Sequence, residues 1–290
     1  YAITSEGEVV AYRGTDPTSL STWSLVGVWY IGEPIGTRPL FKFRGEALLI
    51  LREGIFPLSK ALIAANADKT AAITLNIKDA IANAAALYND NFGWQLEYYP
   101  EANMLILNVP FGEGTNQKQY CMNSITGAWT LFNGIDANCW AIFNGQPYYG
   151  GNQVVGKLWG SFDDNGNNID TQLQQAFSYF GSPGVLKNFS LIKPFIFSDG
   201  TPEVLADINV DFKDEPAASS LSFSPTTYGA WDTSKWDQAP WGGALNINDN
   251  WQTCFGVGTS AALRMQTASN AIELRLSATD YLFETGGVVG

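Results

Sequence analysis

The sequence predicts a mainly β chain built from two modules, and three observations lead there. Short β-prone runs alternate with Gly, Asn and Pro turn signals along most of the 290 residues. Only one stretch has helical periodicity. Charge is distributed unevenly: residues 1–160 hold 10 bases and 13 acids, net −3, and residues 161–290 hold 6 bases and 15 acids, net −9. The expected architecture is a partial β-propeller-like region over residues 1–160, with one inserted helix at about 74–90, followed by a β-sandwich-like C-terminal module over residues 161–290.

The first module opens with a hairpin signal. Tyr1–Thr4 and Glu8–Tyr12 are β-prone runs around the Ser5-Glu6-Gly7 turn. Further strands are predicted at Trp23–Ile31, Leu40–Phe43, Ala47–Leu51 and Gly54–Leu58, with a tight turn at Arg44-Gly45-Glu46. Ile77, Ile81, Ala84, Ala85 and Tyr88 then fall on one helical face, with Asn76 as the expected N-cap. Strands resume at Trp94–Tyr99, Met104–Val109, Gln119–Met122, Ala128–Phe132, Cys139–Phe143, Gln146–Tyr149 and Gly156–Trp159. Aromatic-plus-turn units recur here, as between propeller blades, without a fixed period.

Residues 162–170 form a polar, acidic boundary loop. Beyond it, strands are expected at Leu191–Phe197, Val204–Phe212, Leu263–Thr267 and Ala271–Ala278, the last two joined as a hairpin by Ser269-Asn270. The Trp-rich stretch containing Trp231, Trp236, Trp241 and Trp251 reads as loop.

Composition excludes several chemistries. There is no histidine, so Ser-His-Asp and Cys-His catalysis are ruled out. The three cysteines, Cys121, Cys139 and Cys254, lack zinc spacing and are odd in number; they read as small buried apolar residues. With net charge −12 and pI about 4.4, the chain is a poor phosphate binder but suits a wall that nucleic acid slides past. Charged residues are only 15%, which suits a surface partly covered by other chains. No stretch reaches the roughly 20 apolar residues of a spanning helix. The chain starts at Tyr1, without methionine, in a strand-like pattern, and reads as a piece of a longer polypeptide.

Few residues invite chemistry. Asp163/Asp164, Asp214/Glu215 and Asp232/Asp237 are the carboxylate pairs a glycosidase would need. Asp163, Asn165 and Gly166 resemble part of a calcium loop, but Gln172 stands where its bidentate Glu belongs. Gly256-Val257-Gly258 lacks the third glycine of a dinucleotide site. Trp231, Trp236 and Trp241 are the sharpest local feature; exposed Trp serves protein contacts, sugar stacking or packing of its own loop.

Several stretches carry a family resemblance: Ser5 through Pro17 followed by Trp23, then Pro57-Leu58-Ser59, Tyr120 to Trp129, Gln175 to Gly184, Ala230-Trp231-Asp232 with Trp236-Asp237, and Ala278 to Gly287. The chain resembles the tail nozzle or packaged-DNA stabilisation proteins of short-tailed bacteriophages. The resemblance implies a propeller-containing subunit with added β modules, six copies of which form a ring below the portal and adaptor. That ring retains packaged DNA and releases it at infection. The expectation is a non-enzymatic virion tail protein, assembled in the bacterial cytoplasm, without cofactor or metal. Trp231, Trp236 and Trp241 are its partner-contact candidates. A glycan-binding protein using exposed Trp and a carboxylate glycosidase are the alternatives.

Overall fold

A computed structural model describes residues 1–19, 21–63, 69–112, 115–223, 234–237 and 245–288. The chain is mainly β and divides into two compact units, Tyr1–Trp159 and Gly160–Gly290.

Four antiparallel sheets follow one another through the first unit. β1 (Ala2–Ile3), β2 (Glu8–Gly14) and β3 (Trp23–Tyr30) form the first. Its opening turn bends at Gly7, where φ is +85° and any side chain would strike the Gly32 carbonyl. β4 (Leu40–Phe43), β5 (Glu46–Leu51) and β6 (Gly54–Pro57) form the second. Arg44 and Gly45, both at positive φ, make the two-residue turn whose twist suits a hairpin. After α1 (Leu58–Ile63) and α2 (Lys78–Tyr88) comes the third sheet. It comprises β7 (Gln95–Tyr99), β8 (Met104–Gly112), β9 (Thr115–Asn123) and β10 (Trp129–Asn133). β11 (Cys139–Phe143), β12 (Gln146–Gly150) and β13 (Val155–Lys157) form the fourth.

A separate core joins each consecutive pair of sheets. Val9, Leu49, Leu51 and Phe56 join the first and second. Leu48, Ile50 and Ile55 meet Leu105, Leu107 and Val109 of the third. Ile106 and Cys121 meet Trp140 of the fourth. The second and third sheets therefore bury both faces, which explains the unbroken apolar runs Leu48–Leu51 and Met104–Leu107.

α2 packs Ile81, Ala84 and Ala85 into the second of these cores, with Ile77 and Tyr88 at its edge, on the face expected from the sequence. Asn76 is not its N-cap. Residues Leu75–Ile77 wind as a 3₁₀ turn, so Asn76 lies inside that turn and Ile77 stands at the cap, without a side-chain cap bond. The nearby Thr74 hydroxyl instead accepts the Ile55 N–H at 3.1 Å. α1, which has no long apolar stripe, was not foreseen.

A polar inlay lies between the third and fourth sheets. Asn108 is fully buried with all its capacity used. Its Nδ2 donates to the carbonyls of Gly93 and Ala137, and its Oδ1 accepts from Gln119 Nε2 and Trp140 Nε1. Gln95 exchanges two hydrogen bonds with the Trp140 backbone. Such bonds act only at one relative placement of the two sheets, so they select it.

In the second unit the strands are β14 (Ile169–Gln174), β15 (Val185–Ser198), β16 (Glu203–Val210), β17 (Asn246–Asn248), β18 (Gln252–Gly258), β19 (Ala261–Ser269) and β20 (Leu274–Val288). One sheet runs β14-β19-β16. In the other, β15 pairs with β20 along one edge and with β18 and β17 along the opposite edge. Phe189, Ile192 and Ile196 of β15 pack against Val204, Ala206, Leu263 and Met265 of the facing sheet.

The expected hairpin of Leu263–Thr267 with Ala271–Ala278 does not form. β19 pairs with β14 and β16, whereas β20 pairs with β15. Both segments carry an apolar face, and the two faces pack across one core rather than side by side in one sheet. Asn270 Nδ2 donates to the Gly166 carbonyl, the Ala271 N–H to the Phe162 carbonyl, and the Glu273 N–H to Asp199 Oδ1, which holds the crossing. β17 lies within the Trp-rich stretch that reads as loop in the sequence, and β18 follows it where the sequence predicts no strand. Gly256 has its reason here: a Cβ would lie 2.8 Å from Val210 Cγ1 and 2.9 Å from Ile208 Cδ1.

Candidate functional site

The features that stand out are open apolar sheet faces. In the first sheet, the pairs Glu8↔Tyr30, Val10↔Val28 and Tyr12↔Leu25 lie opposite the buried Val9 and Ala11. Val10 is half-buried; Tyr12, Leu25, Val28 and Tyr30 are exposed, Tyr30 at 59%. Tyr12 stacks on Trp23 with ring centroids 5.8 Å apart. β2 and β3 are thus apolar on both faces, like the doubly buried strands of the middle sheets, yet only one face is covered.

The fourth sheet repeats this. Trp140, Ile142 and Tyr149 turn inward. Ala141, Phe143, Tyr148 and Val155 face the other way, with Phe143 63% and Val155 81% exposed. Phe143 and Tyr148 meet edge to face at 6.2 Å.

The second unit has its own open face, on the sheet containing β15. Phe255, 85% exposed, and Val257 lie on β18, and exposed Leu282 lies on β20 across the intervening β15. Lys193 pairs with Asp280 at 3.5 Å and lies over the rings of Phe195 and Trp251. At another edge, exposed Phe212 lies 4.6 Å from Phe177 and near Tyr179. Asp211 and Phe212 both have positive φ, +49° and +64°, a conformation costing roughly 1–2 kcal/mol per non-glycine residue. The Asp211 carboxylate offsets that cost by accepting the Thr259 N–H and hydroxyl and the Ser260 N–H. Burial opposes its charge, but these bonds hold its carboxyl below the usual range.

Of the predicted contact residues, Trp236 is 68% exposed. Trp231 and Trp241 lie outside the described residues, as does Asp232. The carboxylates have structural surroundings. Asp163 accepts the Ser161 hydroxyl at 2.6 Å. Asp164 and Asn167 exchange backbone hydrogen bonds across a turn at Asn165 and Gly166, so the calcium-like residues form a hairpin bend. Asp214 pairs with Arg264 at 3.6 Å, and the Glu215 backbone is bracketed by the Asn209 side chain. Among the described residues, no group of three or more His, Cys, Asp or Glu could hold a metal ion, and no helix is long and apolar enough to cross a membrane.

Sequence reasoning concentrated on Trp and missed the sheet faces. The signal was present in Val9-Val10-Ala11-Tyr12 and Cys139-Trp140-Ala141-Ile142-Phe143, runs too apolar for strands with one solvated face. A scan against protein-family models finds no match, and a search of curated proteins finds no significant one.

Proposed function

We propose that this chain is a non-enzymatic subunit of a larger assembly, a structural component of a short-tailed phage tail. There it would line an oligomeric conduit that holds packaged DNA and lets it pass. The observation that carries the reading is the apolar face left open on the first sheet, where Tyr12, Leu25, Val28 and Tyr30 lie exposed together. Contiguous exposed apolar surface of this kind marks interaction sites. The acidic balance, −12 overall and −9 in residues 161–290, supports a wall that repels phosphate. The conduit itself rests on the sequence resemblance.

The test is the mass of the purified chain in solution by light scattering, alone and mixed with portal and adaptor rings. A defined multimer, formed alone or on those rings, supports the proposal. A chain that stays monomeric and ignores them overturns it, and saturable sugar binding lost in Trp236→Ala would then favour the glycan-binding reading.

A further inference from the structure

We infer that Asn133-Gly134 is a site of spontaneous deamidation, singled out by the fold from three such pairs, and that its isoaspartate product loosens the polar inlay between the third and fourth sheets.

The chain has three Asn-Gly pairs, at 133–134, 144–145 and 165–166. In each, the glycine nitrogen can attack the asparagine side-chain carbonyl, because glycine has no Cβ to obstruct the approach. The new bond joins that nitrogen to Cγ. The nitrogen gives its proton to solvent base, and the side-chain nitrogen leaves as ammonia. Water then opens the five-membered imide. Cleavage of the bond to Cγ leaves aspartate. Cleavage of the bond to the main-chain carbonyl leaves isoaspartate, in which the chain runs through Cγ. Water is the only other reactant.

All six residues are exposed. Among the described residues, none of the three asparagine side chains and none of the three glycine N–H groups makes a hydrogen bond. Backbone conformation is what separates the pairs. Asn144 and Asn165 have φ of +48° and +50°, in the left-handed region where ψ is about +30 to +60°. There the glycine nitrogen lies on the far side of the Cα–C bond from Cβ, out of reach of Cγ. Both turns are also locked. Asn144-Gly145 closes the hairpin between Phe143 and Gln146 of β11 and β12. Around Asn165-Gly166, Asp164 and Asn167 exchange backbone hydrogen bonds, and Asn270 Nδ2 donates to the Gly166 carbonyl. Turning ψ at either asparagine means opening its hairpin.

Asn133 is placed differently. It is the last residue of β10, an edge strand, and has no positive φ. Beyond it, nothing lies within 4 Å of where a Gly134 Cβ would be. From extended backbone at the end of a ladder, a smaller turn of ψ brings the glycine nitrogen to Cγ.

The position gives the reaction a consequence. Residues 134–138 lead from β10 to β11 and supply acceptors that hold the inlay. The Ile135 carbonyl accepts from Gln119 Nε2 at 3.0 Å, the Ala137 carbonyl from Asn108 Nδ2 at 2.9 Å, and Asp136 Oδ1 from the Gln117 N–H at 3.2 Å. Isoaspartate adds a carbon to the main chain where this segment begins and displaces those acceptors from β8 and β9. Hydrogen bonds weaken steeply once distance and angle are lost. Aspartate keeps the chain length and stands opposite Lys118, so it leaves the inlay in place.

The experiment incubates the folded chain and the guanidinium-unfolded chain in mildly alkaline buffer. Peptide mapping by mass spectrometry follows conversion at the three pairs. In the folded chain Asn133 should convert at least about tenfold faster than Asn144 or Asn165, and in the unfolded chain the three rates should converge. Hydrogen exchange over residues 139–150 should then be about tenfold faster in the isoaspartate fraction than in fresh protein. Asn133→Asp should exchange like the wild type. Asn133→Gln, whose longer side chain has to close a larger ring, should age without change there.

Equal rates at the three pairs in the folded chain, or faster conversion at Asn144 or Asn165, overturn the site. An isoaspartate fraction that exchanges like fresh protein overturns the link to the inlay. So does Asn133→Gln if its exchange quickens on ageing as much as that of the wild type.

Discussion

The Tyr281 hydroxyl of β20 accepts a hydrogen bond from the backbone N–H of Leu263 on β19, 2.9 Å away in the opposite sheet, and donates one to Gln175 Oε1 at 2.9 Å. This hydroxyl ties together the two sheets of the second unit at a site with no backbone ladder between them. Tyr281→Phe would leave a partly buried N–H without its acceptor and should cost about 2 kcal/mol in urea unfolding. Burial is the main cause that pushes the Tyr281 phenol up to about 12, from 10.0. A phenol raised in the folded state contributes fully below pH 10, and its contribution is lost as pH climbs through 12. The variant should therefore show a shallower alkaline loss of stability than the wild type.

Asn108 offers a test of the inlay in the first unit. Asn108→Ala would remove four hydrogen bonds at once, two donated by Nδ2 and two accepted by Oδ1, and leave the Trp140 indole N–H and the Gly93 and Ala137 carbonyls without these partners. The expected loss is about 3 kcal/mol or more, with weakened attachment of β11. Hydrogen exchange should quicken in residues 139–150 before it does in β4–β6.

Asp211→Asn keeps a residue that tolerates the left-handed backbone but removes the charge that three donors share. Stability should fall by about 1 kcal/mol at neutral pH, a figure already discounted for solvent reaching the carboxylate. The folded-state pKa lies below the ordinary carboxylate value of 3.8, so the wild-type advantage is present above pH 3.8. It disappears as pH falls through the lower folded value. Unfolding curves that still differ in strong acid would contradict this account.

The cysteines should differ in reactivity. Cys121 is buried, and burial pushes its thiol up to about 12; Cys254, half-buried, is pushed up to about 11. Because the thiolate is the reacting species, Cys121 should resist a disulfide reagent at pH 8 until the chain unfolds. Cys254 should react slowly. Rapid modification of Cys121 in the folded chain would show that the third core opens readily.

Buried Lys187 shows why some roles cannot be read from residue type. Its ammonium donates to the carbonyls of Ser182, Val185 and Thr259 at 2.7–3.0 Å, holding two loops together. In the sequence it is one of six bases in an acidic half, and nothing local shows that three carbonyls converge on it.

By itself the sequence determined the β character, most strands of the first unit, the turns at Gly7 and Arg44-Gly45, and the packed face of α2. Alternation, turn chemistry and helical spacing are local, and a strand or helix obeys them wherever it lies. Only tertiary structure decided that β19 and β20 belong to opposite sheets, that Asn108 unites two sheets, and that the outer faces of β2–β3 and β11–β13 stand open. Each depends on which apolar face finds another across a core, and hydrophobic attraction has no direction along the chain to reveal that choice.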